Sequence, residues 1–281
     1  MFQDFFIYSA EAIGLAGNGE TTIRTNIEND SDFEIFEHAA TAISQNYRVK
    51  LAETSSGRQM HDAALPGAGT FGDGRRPFKL PVSKRLKRAS TLLSTIRDES
   101  GVANEVRLAY IGAKVFKRRP FPIPEYVARE FFAYTAPFVA ATGADADPDG
   151  AGVIPANGTG IFNIRVQEDA DFEIRKIGIT HGAAALPAGS STLATIRFAD
   201  ETYGYHFMDR PIPIESLGAA IFSDASRSGM YPFRLRVPKL MRHASVLSVT
   251  IRNLDTVNAL RIRVTFWGAK LYGSQPAGGG E

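Results

Sequence analysis

An internal duplication is the feature that most constrains the fold of this 281-residue chain. Residues 77–98 align with residues 232–253 without a gap, and 11 of the 22 positions are identical. A match of this length indicates that one structural unit occurs twice, and such repeats decide the fold before any local pattern does. We therefore expect two similar units in tandem.

Shorter matches flank this segment in the same order. Residues 5–8 (Phe-Phe-Ile-Tyr) match residues 131–134 (Phe-Phe-Ala-Tyr), and the Gly-Ala-Lys sequence at 112–114 returns at 268–270. The offset between the copies grows from 126 to 156 residues along the chain. The second copy therefore carries insertions, which we expect in loops.

Two-residue alternation of apolar and polar side chains dominates both copies. Residues 23–28, 162–167, 247–252 and 261–266 all show it, and this is the period of half-buried β-strands. Gly and Pro, at 26 and 15 residues, punctuate these runs as turns do. Residues 124–132 and 214–222 are the candidates for a short helix.

These patterns predict an all-β protein with two tandem antiparallel β-sandwich (jelly-roll-like) domains. We place the first domain at residues 1–119 and the second at 120–272, with a flexible tail at 273–281. The boundary falls in the proline-rich stretch 117–124, whose composition favours an extended connector.

Composition excludes several classes of protein. The chain has no cysteine, so disulfide scaffolds, thiolate metal sites and cysteine nucleophiles are ruled out. Its 32 basic and 30 acidic residues nearly balance, which argues against a dedicated nucleic-acid binder. The first residues do not have the pattern of a signal peptide, and no apolar run is long enough for a membrane helix. We expect synthesis in the cytoplasm.

Two segments resemble ligand-binding loops by their letters. Residues 67–72 fit a dinucleotide fingerprint, but neither a leading strand nor a following helix is indicated, so a glycine-rich loop is expected. Asp145, Asp147 and Asp149 resemble the first half of a calcium loop. The bidentate Glu at the twelfth position is replaced by Ala156, which leaves these residues as a weak calcium candidate only.

No catalytic motif is evident. The five histidines form no metal-binding spacing, and there is no nucleophile elbow or phosphate-binding loop. Carboxylates recur at 30, 32 and 34 and again at 169, 171 and 173, and a structural turn is the favoured interpretation over a glycosidase pair. The sequence analysis therefore predicts that the chain is not an enzyme, has no cofactor and has no small-molecule substrate.

Charge is unevenly distributed along the chain. Acidic residues are concentrated from Glu20 to Glu37, and residues 75–97 hold eight basic residues and no acidic one. Such segregation could steer copies of the chain together, place a basic face against nucleic acid, or form a solvated rim. The interface candidates are Arg75, Arg76, Lys84, Arg85, Lys87, Arg88, Lys117, Arg118 and Arg119.

The paired Pro-Phe-(Lys/Arg)-Leu, Ala-Ser and Gly-Ala-Lys motifs resemble virion structural proteins of bacteriophages. The two-unit architecture is similar to the double jelly-roll major capsid proteins of tailless, corticovirus-like phages. The second copy departs from the resemblance, since residues 203–205 (Tyr-Gly-Tyr) replace the Gly-Arg turn of residues 57–58. The resemblance implies a capsomer of three chains.

The predicted function is therefore a bacteriophage capsid protein that self-assembles, as trimers in a lattice, into the virion shell. Its expected partners are other copies of itself, other virion proteins, and packaged DNA or an inner membrane. One alternative is an accessory head, neck or tail protein of a tailed phage. A second is a carbohydrate-binding β-sandwich, which needs an exposed aromatic platform; Trp267, the only Trp, is expected in the core.

Overall fold

The computed structural model describes residues 2–55, 59–118, 125–136, 152–182, 186–221 and 232–273. The described strands of the first half form two antiparallel sheets, here called the first unit. Sheet A has the order β1-β8-β3-β6, with β1 (Phe2–Leu15), β8 (Asn104–Phe116), β3 (Asp32–Ala42) and β6 (Phe78–Leu86). Sheet B has the order β2-β7-β4-β5, with β2 (Glu20–Asn26), β7 (Thr91–Asp98), β4 (Tyr47–Glu53) and β5 (Leu65–Pro66).

The second half, here called the second unit, repeats this order with interrupted edge strands. In sheet C, β19 (Leu260–Gly273) lies between β12 (Asp171–His181) and an edge formed by β9 (Tyr126–Thr135) and β10 (Gly152–Ile154). The other edge consists of β17 (Phe233–Met241) and the short parallel β16 (Ala220–Ile221). Sheet D contains β11 (Thr159–Arg165), β18 (Val246–Asn253), β13 (Ala194–Asp200), β14 (Tyr205–His206) and β15 (Ile212–Pro213).

Each unit therefore has the strand order of a jelly roll, when strands are numbered within the unit and each interrupted strand is counted once. The first, eighth, third and sixth strands form one sheet, and the second, seventh, fourth and fifth form the other. The prediction of an all-β chain with two tandem jelly-roll-like sandwiches is confirmed. The predicted boundary between residues 119 and 120 lies outside the described residues, as do residues 274–281 of the predicted tail 273–281, so both stay predictions; Gly273, the first residue of that tail, ends β19.

The repeated Gly-Ala-Lys motif has a steric reason. The register of β3 against β8 shifts between Ile35 and Glu37, opposite Gly112, and β12 shifts against β19 in the same way opposite Gly268. A Cβ at Gly112 would lie 2.1 Å from the Glu34 carbonyl oxygen, and a Cβ at Gly268 would meet the corresponding oxygen at 1.9 Å. Only glycine lets the backbones approach this closely.

The lysines of the same motif, Lys114 and Lys270, make equivalent contacts in the two units. Lys114 Nζ lies 2.9 Å from Asp30 Oδ2 and 4.5 Å from the ring centre of Phe6. Lys270 Nζ lies 2.7 Å from Asp169 Oδ2 and over the ring of Phe132, the counterpart of Phe6. The recurring aspartates are thus bound to the recurring lysines, one pair in each unit.

Two expectations for local structure need correction. The proposed helix at 124–132 is wrong, because Tyr126–Thr135 forms β9 and pairs with β19. Around 214–222 the chain forms one 3-10 turn, Ile214–Leu217, followed by a short strand. The glycine-rich stretch at 67–72 contains a single helical turn, Gly67–Thr70. A proline at a helix start is a local signal, and strand pairing along β19 overrides it.

Replacing either bulge glycine tests the steric argument. We expect Gly112→Ala and Gly268→Ala each to lower the free energy of unfolding by about 1–3 kcal/mol, because a backbone oxygen has to move away from the new methyl group. Gly69→Ala is the control, since a Cβ added there would meet nothing within 4 Å. Urea unfolding measures all three, and equal stabilities for the bulge and control variants would refute the steric role.

Candidate assembly interface

The outer face of sheet A is covered by the second unit of the same chain. Phe5 and Ile7 on β1 belong to the same buried cluster as Phe207, Met208 and Phe233 of the second unit. The rings of Phe5 and Phe233 meet edge to face with their centroids 6.3 Å apart. Sheet A therefore has no wet face along β8 and residues 5–10 of β1, unlike an ordinary antiparallel sheet.

Backbone groups close the free edge of β1. The Ile7 amide donates to the Phe207 carbonyl at 2.9 Å, and the Asp209 amide donates to the Ile7 carbonyl at 3.1 Å. The Ser9 amide donates to Asp209 Oδ1 at 3.1 Å. An edge strand that would otherwise offer unpaired groups is thereby paired with residues 207–209.

A buried ion pair joins the two units beside these contacts. Lys239 Nζ on β17 lies 2.5 Å from Asp4 Oδ2 on β1, and its side chain is almost fully buried. The same ammonium group lies 4.7 Å from the ring centre of Phe207. A buried lysine needs such a partner, because an unpaired buried charge is costly.

The equivalent face of the second unit has no such cover in the described part of the chain. Phe131 pairs with Ala269 as Phe5 pairs with Ala113, so Phe131 is the counterpart of Phe5. Phe131 is 79% exposed, whereas Phe5 is 1% exposed. On the same face, Ala133 and Trp267 are half-buried. They take the places that the fully buried Ile7 and Ile111 have in the first unit.

The covering elements have exposed counterparts in the first unit. Strand β6 pairs with β3 in the register that β17 uses with β12, so Phe78 corresponds to Phe233. Phe78 is 37% exposed and Val82, further along β6, is 80% exposed. Within the described residues, the first unit thus leaves a covering strand unused, and the second unit leaves the outer face of sheet C uncovered.

Part of the predicted basic set meets the acidic run within the chain. The Arg85 guanidinium pairs with Asp32 at 2.9 Å, and the Arg88 amide donates to the same carboxylate. Lys117 and Arg118 are exposed and lie around one depression with Arg88 and Asp32. The acidic and basic segments are brought together because β3 and β6 are hydrogen-bonded neighbours.

The other predicted residues are spread along β6 and the loops before and after it. Arg75 donates to the Ala219 carbonyl at 3.4 Å across a charged cleft of about 590 Å³ between the units. Arg76 and Lys87 are exposed, and Lys84 Nζ lies 3.4 Å from Glu53 Oε2. The eight candidates among the described residues therefore do not form a single patch.

Several predicted positions lie outside the described residues: Arg119 and the calcium candidates Asp145, Asp147 and Asp149. Within the described ranges, no group of three or more His, Asp or Glu side chains is arranged to hold a metal ion. Among the same residues, no helix is long and apolar enough to cross a membrane.

The sequence analysis missed the residues that join the two units, including Asp4, Asp209 and Lys239. It also expected Trp267 in the core, whereas the indole lies half-buried on the outer face of sheet C, against Gly178. The continuous apolar run at residues 5–8 was the available signal, because a strand buried on both faces loses its alternation.

Comparison with known proteins gives no relative in sequence. No protein-family model matches the chain, and no curated protein matches it. Among solved structures, the chain is similar to PNGase F, a glycosylasparaginase from Flavobacterium meningosepticum, with a TM-score of 0.26, 10% identity, and coverage of 95% of this chain and 96% of that one. A protein of Sulfolobus turreted icosahedral virus gives a TM-score of 0.26 at 6% identity, over 94% of this chain and 58% of that one.

A further similarity is to latent PorU from Porphyromonas gingivalis, with a TM-score of 0.28 at 10% identity, over 86% of this chain and 24% of that one. At these scores none of the similarities transfers a function. The amidase matches nevertheless contradict the prediction that the chain is not an enzyme. That exclusion was wrong because it relied on missing motifs, and catalytic groups assembled in space leave none.

Asp209 makes the junction between the units sensitive to pH. Burial raises the pKa of the Asp209 carboxyl to about 6, against the lowering effect of Arg210. The folded chain therefore binds this proton more tightly than the unfolded chain, whose Asp has a pKa of about 3.9. The resulting stability is complete below pH of about 4 and is lost as the pH rises through about 6.

We expect Asp209→Asn to raise the free energy of unfolding by about 2 kcal/mol at pH 7.5, because the amide carries no charge and keeps an oxygen for the Ser9 amide. At pH 4 the gain should be much smaller, since Asp209 is then already protonated. Thermal or urea unfolding at both pH values measures the difference. Asp62→Asn, at the exposed counterpart in the first unit, is the matched control; an equal gain at both pH values contradicts the mechanism.

Proposed function

We propose that this chain is a structural subunit of a virus shell, a bacteriophage capsid protein that assembles with other copies of itself. The observation that carries the proposal is the unequal cover of two equivalent sheet faces. The face of sheet A is buried by the second unit, and the matching face of sheet C exposes Phe131 and half-exposes Trp267. An exposed apolar patch of this kind is typical of a protein interface.

The proposed assembly is a trimer, which places six jelly rolls in a ring. A chain that offers a covering strand at one end and an uncovered face at the other makes a head-to-tail contact, and such contacts close into rings or extend into filaments. Three chains per ring is the number that the sequence resemblance implies. Localisation in the virion, after assembly in the host cytoplasm, belongs to the same proposal.

The two alternatives remain distinct. An accessory virion protein would use the same contacts but occupy only vertices, the neck or the tail, so copy number per particle separates it from a shell subunit. The carbohydrate-binding alternative gains one observation, since Trp267 and Phe131 lie on one partly open face. A glycan array that shows binding to a monomeric chain would favour it.

Self-association of the full chain tests the proposal. We expect sedimentation velocity at rising protein concentration to show trimers, and negative-stain microscopy to show ring-shaped capsomers or closed particles. Burial of Phe131 and Trp267 provides the driving force, so raising the salt concentration should not dissolve the oligomer. A chain that stays monomeric at all concentrations tested and forms no particles would contradict the proposal.

A further inference from the structure

We propose that the contact between the two units inside one chain is repeated between chains, with β6 and residues 60–62 of one copy covering β9 and the outer face of sheet C in the next. This inference rests on the proposed function and names its partner surface. The occupant is a second copy of this chain.

The aromatic contact has the same residue types in both places. Inside the chain, Phe233 at the start of β17 meets Phe5 on β1. Their counterparts by strand register are Phe78 at the start of β6 and Phe131 on β9. Both counterparts are exposed, and they lie in different units, so only a second copy can bring the equivalent pair together in the same arrangement.

The buried ion pair also has a counterpart of matching charge. Lys239 pairs opposite Ile174 on β12 as Lys84 pairs opposite Ile35 on β3, so the two lysines are equivalent. Asp4 pairs opposite Lys114 on β8, and Glu130 takes the same place opposite Lys270 on β19. A bond between Lys84 of one copy and Glu130 of the next therefore reproduces the internal pair.

The loop that closes the edge of β1 has the same form in the first unit. His206 bridges to Ala199 as Gln59 bridges to Ala52, which makes residues 60–62 equivalent to residues 207–209. Both segments end in an aspartate, Asp209 in one and Asp62 in the other. Asp62 can therefore accept from the Thr135 amide of the next copy as Asp209 accepts from Ser9.

Differences between the two faces compensate in volume. Ile7 lies opposite Ile111 on the outer face of sheet A, and Ala133 lies opposite Trp267 at the same place on sheet C. A smaller and a larger side chain replace two of middle size. The indole has room because the residue beneath it is Gly178, which replaces Ala39. Side-chain swaps that keep total volume are those that packed contacts tolerate best.

Cross-linking between chosen positions is the sharpest test, because the natural chain has no cysteine. We expect the double variant Phe78→Cys with Phe131→Cys, treated with a short bis-maleimide, to give covalent trimers on a denaturing gel. Each single variant should give no cross-linked trimer, because a head-to-tail contact places residue 78 beside 131 and not beside itself. A Val257→Cys with Phe131→Cys variant is the control, since Val257 is exposed and precedes the start of β19, whereas Phe131 pairs with Ala269 near the end of that strand.

Each result of this experiment has a defined meaning. Dimers of the single variants, which indicate a two-fold contact, would overturn the proposal. A double variant that still assembles as the wild-type chain does but does not cross-link would overturn it as well, while leaving the shell function intact; loss of assembly in the double variant but not in the control would support the contact. A wild-type chain that never associates would refute the proposed function itself. Binding of a glycan to that monomer would indicate that the outer face of sheet C binds a carbohydrate instead.

Charge reversal provides an independent test. We expect Lys84→Glu and Glu130→Lys each to weaken trimer formation by roughly tenfold or more, and the double variant to recover most of the loss, because the opposite charges again face each other. Trp267, the only Trp in the chain, reports on the contact by a blue shift of its emission on assembly. Thermal unfolding of each variant separates lost assembly from lost folding, and a double variant no better than the singles would exclude this ion pair.

Discussion

The burial of both faces of sheet A around β8 and the middle of β1 is the constraint on which the rest of the structure depends. Its strand β8 is buried along nearly its whole length, although antiparallel sheets usually keep one face in water. The second unit supplies the missing cover through β17 and residues 207–209. Separating the units would expose Phe5 and Ile7 and leave Lys239 without its partner Asp4, so the two jelly rolls are held together by their own packing as well as by the chain.

The all-β class and the two similar sandwiches could be predicted from the sequence because their signals are local or repeated. Alternation identified most of the strands, and the duplication required the second unit to resemble the first. The error at residues 124–132 has a physical cause. The prolines there indicate a helix start, but the strand beginning at Tyr126 gains a long ladder with β19, and no single-segment pattern contains that partner.

The contact surfaces were less predictable, because they depend on which segments the fold brings together. Arg85 and Asp32 are 53 residues apart in sequence and become neighbours only when β6 pairs with β3. A charge run counted along the chain therefore overstates the charge left for a partner. Comparing equivalent residues between the two units is more informative, since Phe5 and Phe131 have the same identity and opposite exposure.

A duplicated unit also changes the energetics of assembly. The contact made by Phe233 and Lys239 forms inside one chain, where the linker holds the two halves at high effective concentration. In the proposed assembly, the equivalent contact through Phe78 and Lys84 forms only when separate chains meet, so it alone depends on protein concentration. In the proposed ring of six units, joining the units in pairs thus leaves three contacts between separate chains instead of six. The exchange of Ile7 for Ala133 and of Ile111 for Trp267 makes the two outer faces different in shape, which in the proposed assembly favours docking of each face with its own partner.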